Sequence, residues 1–515
     1  MSRQFDVNDD SVVVIIGSGA GGATLAADLC AKGINVVCLE AGKPVQIVQD
    51  FHQMFARAVW KDKRSSEGDL NPGLPAYIGK AVGGTALLWG GLALRREPWE
   101  LKALSAFGPV DGADLADWPL TFDELEPWYE KAEARLNVTG RGGRPFLPDH
   151  NHSLVFKAGA AKLGYQQVSN GHMAINTAPF DGRPGCQQMG FCAAGCTVHA
   201  KWAPAYAELP KAQASGHFEL RDGCMVVRIE HDDQDRVTGV VYRDDAGNEH
   251  RQRARAACLA ANGIETPRLL LLSESARFKD GLANRSGTVG KHYMIDVLAR
   301  AATIMPGQVD NYKGATYSAL VQDENINDPS RGFFGGIIMA PRGIHLPLFP
   351  NELDPEGWGE EFAEVIAHYP NAAAAVALAG DLPVADNRIT LHPTETDQHG
   401  LPIPHIRKVY HDNDNALLNY GFKRLTEMFQ SLGAGRVYTR QGTSALHNLG
   451  TCRQSEEPDN GVCNSFGQSH DLENLFISDG SQFVTTGAAP PTLTIVTLAM
   501  RQADYIAKQM RTRAI

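Results

Sequence analysis

Three glycines near the start of the sequence have the spacing of a site that binds the phosphates of a dinucleotide. They form Gly17-x-Gly19-x-x-Gly22, between the apolar run 12–16 and a helical pattern. In this order the first glycine permits a tight turn, the second lets the backbone approach a pyrophosphate at the helix N-terminus, and the third lets the helix pack on the strand. The alternative is a flexible glycine loop, because the motif alone is weak evidence.

An acidic side chain follows at the distance that ribose recognition requires. The second apolar run, 34–39, ends in Glu40, whose carboxylate can accept a hydrogen bond from a ribose hydroxyl. Because both strands, the helix and the acid are present, the sequence predicts a dinucleotide site and not a flexible loop.

Two further pairs of glycines indicate a second contact with a ligand. Gly83 and Gly84 precede Thr85, and another pair follows Trp89. A backbone without side chains can pack closely against a flat or phosphate-bearing ligand, and the threonine adds one hydroxyl. The alternative is a glycine-rich crossing through the core.

The elements that must position these residues alternate strand and helix, which is typical of a parallel sheet. Residues 255–267 repeat the order strand, glycine turn and helix, and residues 475–480 form a buried strand that ends at Asp479-Gly480. The aspartate therefore lies at the carboxyl end of a strand, where ligands of such sheets bind. Residues 388–409 alternate as two strands around a turn. The predicted fold class is α/β combined with α+β: a Rossmann-like cofactor-binding domain with an inserted antiparallel-sheet substrate domain.

The chain of 515 residues is too long for one compact core and divides into segments. Segment 141–185 is rich in Gly, Pro, Asn and His and predicts an irregular lid on the substrate side. Residues 415–432 carry apolar side chains at helical spacing and predict a core-facing helix. The cofactor-binding domain is expected to comprise 1–140, 186–299 with a cysteine cluster, and 441–515, and the substrate-binding domain to comprise 300–440.

Composition excludes several classes of function. With 43% hydrophobic and 21% charged residues, the chain has the composition of an ordinary soluble globular protein. A net charge of -11 without a basic cluster argues against a nucleic-acid or anionic-membrane partner. The N-terminus is polar, without the pattern of a secretory signal, and no apolar run reaches the roughly 18 residues that span a bilayer. The nine scattered cysteines are not typical of a disulfide framework.

The order of these motifs resembles the glucose-methanol-choline oxidoreductases, flavoproteins that oxidise alcohols, over nearly the whole chain. Within that family the sequence is most similar to the catalytic subunits of bacterial FAD-dependent sugar and gluconate dehydrogenases. The motifs that carry the resemblance are Gly17-x-Gly19-x-x-Gly22 with Glu40, Gly83-Gly84-Thr85, Asn262-Gly-Ile-Glu-Thr-Pro267, His447-x-x-Gly450-Thr451, Asp479-Gly480 and Pro491-Thr-Leu-Thr494.

The resemblance implies that the cofactor is FAD. It also implies a noncovalent attachment, because Leu88 stands where relatives with a covalent link carry a histidine. The cofactor contacts that it implies are Gly17, Gly19, Gly22, Glu40, Gly83, Gly84, Thr85, Trp89, Val227, Asp479, Gly480 and Thr492.

In these relatives three cysteines with the spacing of Cys186, Cys192 and Cys196 hold a 3Fe-4S cluster that passes electrons out of the flavin. Thiolates are the usual ligands of such clusters. The alternative is an unmetallated loop in an oxidase. If the cluster is present, the resemblance implies a small subunit and a cytochrome-like electron acceptor. The protein is expected in the cytoplasm, or in the periplasm by export with a signal-bearing partner subunit.

The resemblance assigns the chemistry to His447, whose neutral imidazole takes the hydroxyl proton while the carbinol hydrogen leaves as hydride to the flavin. The family usually places Asn or His before the Pro-Thr-Leu-Thr stretch, but this chain has Pro490, which offers no side-chain donor. The expected function is FAD-dependent oxidation of a sugar, polyol or other alcohol, with electrons passed to a partner or quinone-like acceptor. The alternatives are an oxidase that uses dioxygen, or a non-redox lyase or structural subunit that has lost alcohol oxidation.

Overall fold

The computed structural model describes residues 4–345, 353 and 357–515, and its strands form four sheets. The strands are β1 Val13–Ile16, β2 Val36–Glu40, β3 Ser65–Gly68, β4 Val168–Asn170, β5 Phe218–Asp222, β6 Met225–His231, β7 Val237–Arg243, β8 Glu249–Arg253, β9 Ala256–Leu259, β10 Asp296–Ile304, β11 Ala319–Val321, β12 Ile337–Pro341, β13 Ala372–Gly380, β14 Arg388–Thr396, β15 Pro402–Lys408, β16 Val437–Gln441 and β17 Leu475–Ile477. The helices are Ala20–Ala31, Phe51–Ala58, Ala103–Phe107, Phe122–Leu136, Asn151–Lys162, Pro204–Ala207, Leu209–Ala214, Asn262–Leu272, Gly359–Ala367, Asp412–Ser431 and Thr492–Thr512.

A five-stranded parallel sheet carries the first glycine motif. Its order is β17-β9-β1-β2-β5, so the strand before the glycines lies at the centre. Val13 and Ile15 pack against the helices Ala20–Ala31 and Thr492–Thr512, whereas alternate residues of β1 pack against the antiparallel sheet β6-β7-β8. Burial on both faces explains why β1 is a continuous apolar run. The predicted Rossmann-like domain is confirmed.

A six-stranded sheet forms the second layer of the molecule, with the order β16-β10-β13-β12-β11-β4. The helix Asp412–Ser431 packs on one face, close enough that a Cβ at Gly421 would lie 2.9 Å from the Cβ of Ala299. Ala299 lies on β10, and the same Cβ would lie 3.2 Å from that of Ala377 on the alanine-rich β13, so small side chains on both strands admit this close approach. The helix agrees with the prediction for 415–432, and its Leu425 and Phe429 are buried. The opposite face of the sheet remains available for a cavity.

The predicted hairpin at 388–409 forms, but it lies outside the six-stranded sheet. β14 and β15 pair antiparallel, and β15 pairs in parallel with β3 from the N-terminal part of the chain. The partner of β15 is therefore 340 positions away, as in the hydrogen bond between Ser65 and His405. Local alternation predicted the hairpin but could not identify this third strand.

The prediction that 141–185 is irregular was wrong for two parts of it. Asn151–Lys162 is a helix and β4 is the edge strand of the six-stranded sheet. A Cβ at Gly159 would lie 2.6 Å from the Cγ of Met428, so this helix packs tightly on the helix Asp412–Ser431. Tertiary packing, and not a clear amphipathic pattern, stabilises it.

Among the described helices, none combines the length and the apolar character that crossing a bilayer requires.

Candidate active site

A cavity of about 460 Å³ lies between the parallel sheet and the six-stranded sheet. Leu298, Val376 and Leu378 form part of its wall on the six-stranded side. The predicted site residues that line it are Gly17, Gly19, Glu40, Gly84, Thr85, Trp89, His447, Asp479, Gly480 and Thr492. The fold therefore brings together residues from the beginning, the middle and the end of the chain.

The first glycine turn has the geometry of a phosphate cradle. Gly17 has a φ of 100°, and a Cβ there would lie 2.4 Å from the carbonyl oxygen of Ala260. A Cβ at Gly22 would lie 2.0 Å from the Gly17 carbonyl oxygen, so Gly22 packs the helix on the turn and does not line the cavity. A Cβ at Gly19 would meet no described atom within 4 Å, and the helix Ala20–Ala31 begins directly after it. An anion can therefore approach the backbone at Gly19.

Glu40 and Ser18 connect this turn to the second glycine pair. The Glu40 carboxylate accepts hydrogen bonds from the Ser18 backbone N–H at 2.9 Å and hydroxyl at 2.7 Å. The Ser18 hydroxyl in turn accepts one from the Gly83 N–H at 2.9 Å. A Cβ at Gly84 would lie 2.9 Å from the Gly19 Cα, which places the two loops face to face. Burial raises the pKa of Glu40. The sequence analysis did not identify Ser18, because a single serine forms no recognisable pattern.

Asp479 also holds backbone in place at the edge of the cavity. It accepts hydrogen bonds from the Asn262 N–H at 2.9 Å, the Thr266 hydroxyl at 2.6 Å, and the Ser481 N–H at 2.8 Å and hydroxyl at 2.6 Å. Burial raises its pKa. Thr492 begins the long C-terminal helix, whose positive N-terminal end therefore faces the cavity.

Besides Gly22, two further predicted residues lie behind the cavity wall. Gly83 has a φ of 98°, and a Cβ there would lie 2.9 Å from that of Ala205. Val227 is buried in β6, and its neighbours Met225 and Val226 form the wall in its place. The burial of its side chain does not test the predicted contact of Val227 with the cofactor. Contacts of the other residues with a cofactor stay predictions.

His447 is held by a carboxylate that the sequence analysis did not identify. Its Nδ1 is hydrogen-bonded to the Asp296 carboxylate, and its ring lies in the cavity wall. Because a carboxylate accepts, Nδ1 carries the proton and Nε2 presents its lone pair. Asp296 is the first residue of β10 and is 151 positions from His447, so no local pattern links the two.

A buried ion pair fixes the strand that carries Asp296. The Ile295 N–H donates to both carboxylate oxygens of Asp381, at 3.1 and 2.9 Å. The Lys408 ammonium donates to the same carboxylate at 2.5 Å, and neither of these side chains has exposed surface. Removal of one partner from such a buried pair is strongly destabilising. The position of Asp296 is thus determined by rigid elements.

The three clustered cysteines lie beside the cavity and not in its wall. Cys192 is buried, Cys186 and Cys196 pack against the same apolar cluster, and Gly190 and Ala193 of their loop line the cavity. In the part of the chain that the structure describes, no three His, Cys, Asp or Glu side chains form a group that could hold a single metal ion. The sequence prediction of iron therefore remains untested by the geometry.

The buried ammonium of Lys201 connects the cysteine loop to the cavity wall. It donates to the carbonyl oxygens of Leu87 at 3.0 Å, Trp89 at 2.6 Å and Cys192 at 2.7 Å. Burial lowers its pKa to about 8. The Trp89 indole N–H donates to the Trp202 carbonyl at 2.9 Å and holds the same wall.

Comparison with known proteins identifies this architecture. Sequence models described as GMC oxidoreductase match residues 14–292 and 383–499. The chain belongs to the GMC oxidoreductase family. A solved structure of pyridoxine 4-oxidase from Mesorbium loti superposes with a TM-score of 0.72 at 17% identity, over 96% of this chain and 99% of that chain. At this identity the likeness shows the fold alone.

Curated relatives match over nearly their full length. The 2-methyl-1,2-propanediol dehydrogenase of Mycolicibacterium austroafricanum is 32% identical over 97% of this chain and 96% of its own. The 6'''-hydroxyparomomycin C oxidase of Streptomyces lividus is 29% identical over 97% and 91%, respectively. The fructose dehydrogenase large subunit of Gluconobacter japonicus is 27% identical over 97% and 98%. The family and its named dehydrogenases identify this chain as an FAD-dependent oxidoreductase that acts on CH–OH donors.

The residues that line the cavity have the chemistry that FAD binding requires. Gly19 leaves backbone open for a pyrophosphate and Gly84 packs closely beside it, Glu40 offers an acceptor, and the helix that begins at Thr492 presents its positive end. These residues would hold the cofactor along the edge of the parallel sheet.

FAD is expected to be bound without a covalent bond. Leu88, which replaces the linking histidine of some relatives, is an apolar residue of the cavity wall and has no group that could form the link. Acid precipitation of the purified protein should release all the yellow colour into the supernatant. Yellow colour that stays in the washed pellet would contradict the prediction.

Proposed function

We propose that this protein is a dehydrogenase that oxidises a CH–OH group of a small alcohol, polyol or sugar and passes the electrons to a partner protein or a quinone-like acceptor. The observation that carries the proposal is His447, held by Asp296 in the wall of the cavity that the glycine turns enter. The relatives named as dehydrogenases of a diol and of fructose support this class of substrate.

The side chains divide the chemistry between them. Asp296 keeps the proton on His447 Nδ1, so Nε2 accepts the proton of the substrate hydroxyl. Bound FAD supplies the acceptor for the hydride that leaves the carbinol carbon. The apolar wall of Leu298, Val376 and Leu378 limits water beside the reacting carbon.

Anaerobic bleaching of the flavin tests this proposal and identifies the substrate. The protein is mixed with a panel of diols, sugars, sugar acids and aliphatic or aromatic alcohols, and the absorbance of oxidised flavin is followed. We expect at least one class of alcohol to bleach it within seconds to minutes. If every alcohol leaves the flavin oxidised while FAD remains bound, the non-redox alternative replaces the proposal.

The second candidate is an oxidase, which the relative named as a hydroxyparomomycin oxidase favours. An oxygen electrode separates the two with the substrate that bleaches the flavin. A dehydrogenase consumes little oxygen and turns over rapidly with a quinone or dye, whereas an oxidase consumes one oxygen for each alcohol.

We further propose that Cys186, Cys192 and Cys196 bind a 3Fe-4S cluster. The spacing of the three thiols, their shared apolar cluster and the buried cation Lys201 support this proposal. In such a cluster each thiolate binds a different iron, so the thiols need not converge on one ion-sized position.

Iron in the cysteine loop should be visible by spectroscopy. Protein produced with iron and purified anaerobically is expected to show, when oxidised, an electron paramagnetic resonance signal near a g value of about 2. The variant Cys192→Ser should lose the signal and the iron, whereas Cys463→Ser, at a buried cysteine elsewhere, should keep both. Wild-type protein with full FAD and no iron would favour the unmetallated loop.

A partner protein follows from the cluster, because electrons must leave beside the loop 186–196. The relative named as a large subunit supports such an assembly. Copurification from the native cell would identify the small subunit and the cytochrome-like acceptor. Cell fractionation would place the assembly in the cytoplasm or the periplasm.

A further inference from the structure

Asn448 has a side chain that the proposed mechanism does not use. It follows His447 directly, and both residues line the cavity together with Pro490. Pro490 stands where the family usually supplies a second polar group, and it has no donor. The polar group that the family places beside the reacting oxygen is therefore missing at position 490.

The orientation of the Asn448 amide is fixed by Tyr293. The Tyr293 hydroxyl donates to Asn448 Oδ1 at 2.5 Å. A flipped amide would donate to the hydroxyl oxygen instead, but the tyrosine proton would then lose its acceptor, so the observed orientation is favoured. Tyr293 is completely buried in the core between the sheet and the helix Asn262–Leu272, so it forms a rigid support.

The other end of the amide is available as a donor. Within the described residues Asn448 Nδ2 has no hydrogen-bond partner. This nitrogen is not fully buried. Asn448 belongs to the cavity wall, and from this we infer that its unpaired N–H group faces the cavity. An N–H donor beside the base can bond an oxygen that gains negative charge as its proton leaves.

We propose that Asn448 Nδ2, oriented by Tyr293, donates a hydrogen bond to the reacting oxygen of the substrate and so replaces the polar group that is missing at position 490. The inference rests on the proposed alcohol oxidation. In that reaction the O–H bond breaks, its proton passes to His447 Nε2, and the oxygen forms the carbonyl as the carbinol hydrogen leaves as hydride to FAD. The donor stabilises the charge that the oxygen carries during this change.

The first test is Asn448→Asp, which keeps the size of the side chain and an acceptor for Tyr293 but removes the N–H donor. We expect the limiting rate of anaerobic flavin reduction to fall by roughly 10²- to 10³-fold, as when an oxyanion donor is removed, with FAD content unchanged. Asn448→Leu removes the donor without adding a charge, and its limiting rate of flavin reduction should also fall. The control Asn415→Asp, on an exposed helix position, should match the wild type.

The second test asks whether an amide at position 490 can replace the amide of Asn448. Pro490→Asn alone should change the rate by no more than about tenfold, a range of about 1.4 kcal/mol. When Pro490→Asn is added to Asn448→Leu, the rate of flavin reduction should rise at least tenfold above that of Asn448→Leu alone. Tyr293→Phe keeps the amide but removes the hydroxyl that orients it. Its rate of flavin reduction should lie between those of the wild type and Asn448→Leu.

The outcomes separate the inference from the proposed function. If no alcohol reduces the wild-type flavin, alcohol oxidation itself fails. If the wild type is reduced and Asn448→Asp and Asn448→Leu are reduced equally fast, this inference alone is wrong. If the variants instead lose FAD affinity or shift the absorption of the oxidised flavin before substrate is added, the donor binds a flavin oxygen, and the assignment to substrate is overturned.

Discussion

The variant His447→Ala is expected to reduce its flavin roughly 10²- to 10⁴-fold more slowly than the wild type with the same alcohol, which is the usual contribution of a positioned general base. The physical reason is that alanine offers no atom to accept the hydroxyl proton at the position of Nε2. The measurement is the limiting rate of anaerobic flavin bleaching by stopped flow.

The loss should be confined to chemistry. The glycine turns, Glu40 and Asp479 hold the backbone around the cofactor site without His447, so FAD content should stay at the wild-type level. His250→Ala is a matched control, because this exposed histidine on β8 pairs with Asp244 and stacks on Tyr242 and does not line the cavity. Added imidazole should restore part of the lost rate. Should His447→Ala bleach as fast as the wild type, His447 is not the base.

The variant Asp296→Asn is expected to reduce its flavin roughly 10- to 10³-fold more slowly than the wild type, between the effect of a lost orienting group and that of a lost base. Asparagine has the same shape, but its amide can donate to Nδ1 and so favour the tautomer that carries the proton on Nε2. An imidazole in that tautomer cannot accept the hydroxyl proton. The stopped-flow assay gives the rate.

The matched control for this change is Asp386→Asn. Asp386 is an exposed carboxylate that pairs with Arg388 and Arg407, and such surface pairs contribute little to stability. It should keep the wild-type rate. If Asp296→Asn is reduced as fast as the control, the carboxylate is not required to orient His447. That result would not contradict the assignment of His447 as the base.

Some of the site was predictable because short stretches of chain impose their own geometry. A φ of 100° at Gly17 and the close contact at Gly22 require glycine, so the motif can be recognised without knowledge of the rest of the fold. The strands β1, β2, β9 and β17 are buried on both faces and therefore read as apolar runs.

Other features were hidden because they depend on residues far apart in the chain. Ser18 meets Gly83 across 65 positions, and Tyr293 meets Asn448 across 155. β3 is a short, partly exposed strand without an apolar pattern, and only its pairing with β15 makes it a strand. Single hydrogen bonds of this kind leave no periodicity to detect.

The sequence by itself determined the cofactor-binding half of this protein, because strand, glycine turn and helix are local structures whose steric requirements appear in consecutive residues. It also predicted His447 as the base, through a resemblance between motifs. Only the tertiary structure decided what surrounds that histidine: Asp296 at Nδ1 and the Asn448 amide anchored by Tyr293. The reason is physical, since orientation of a side chain depends on which distant elements pack beside it, and the order of residues along one segment does not contain that information.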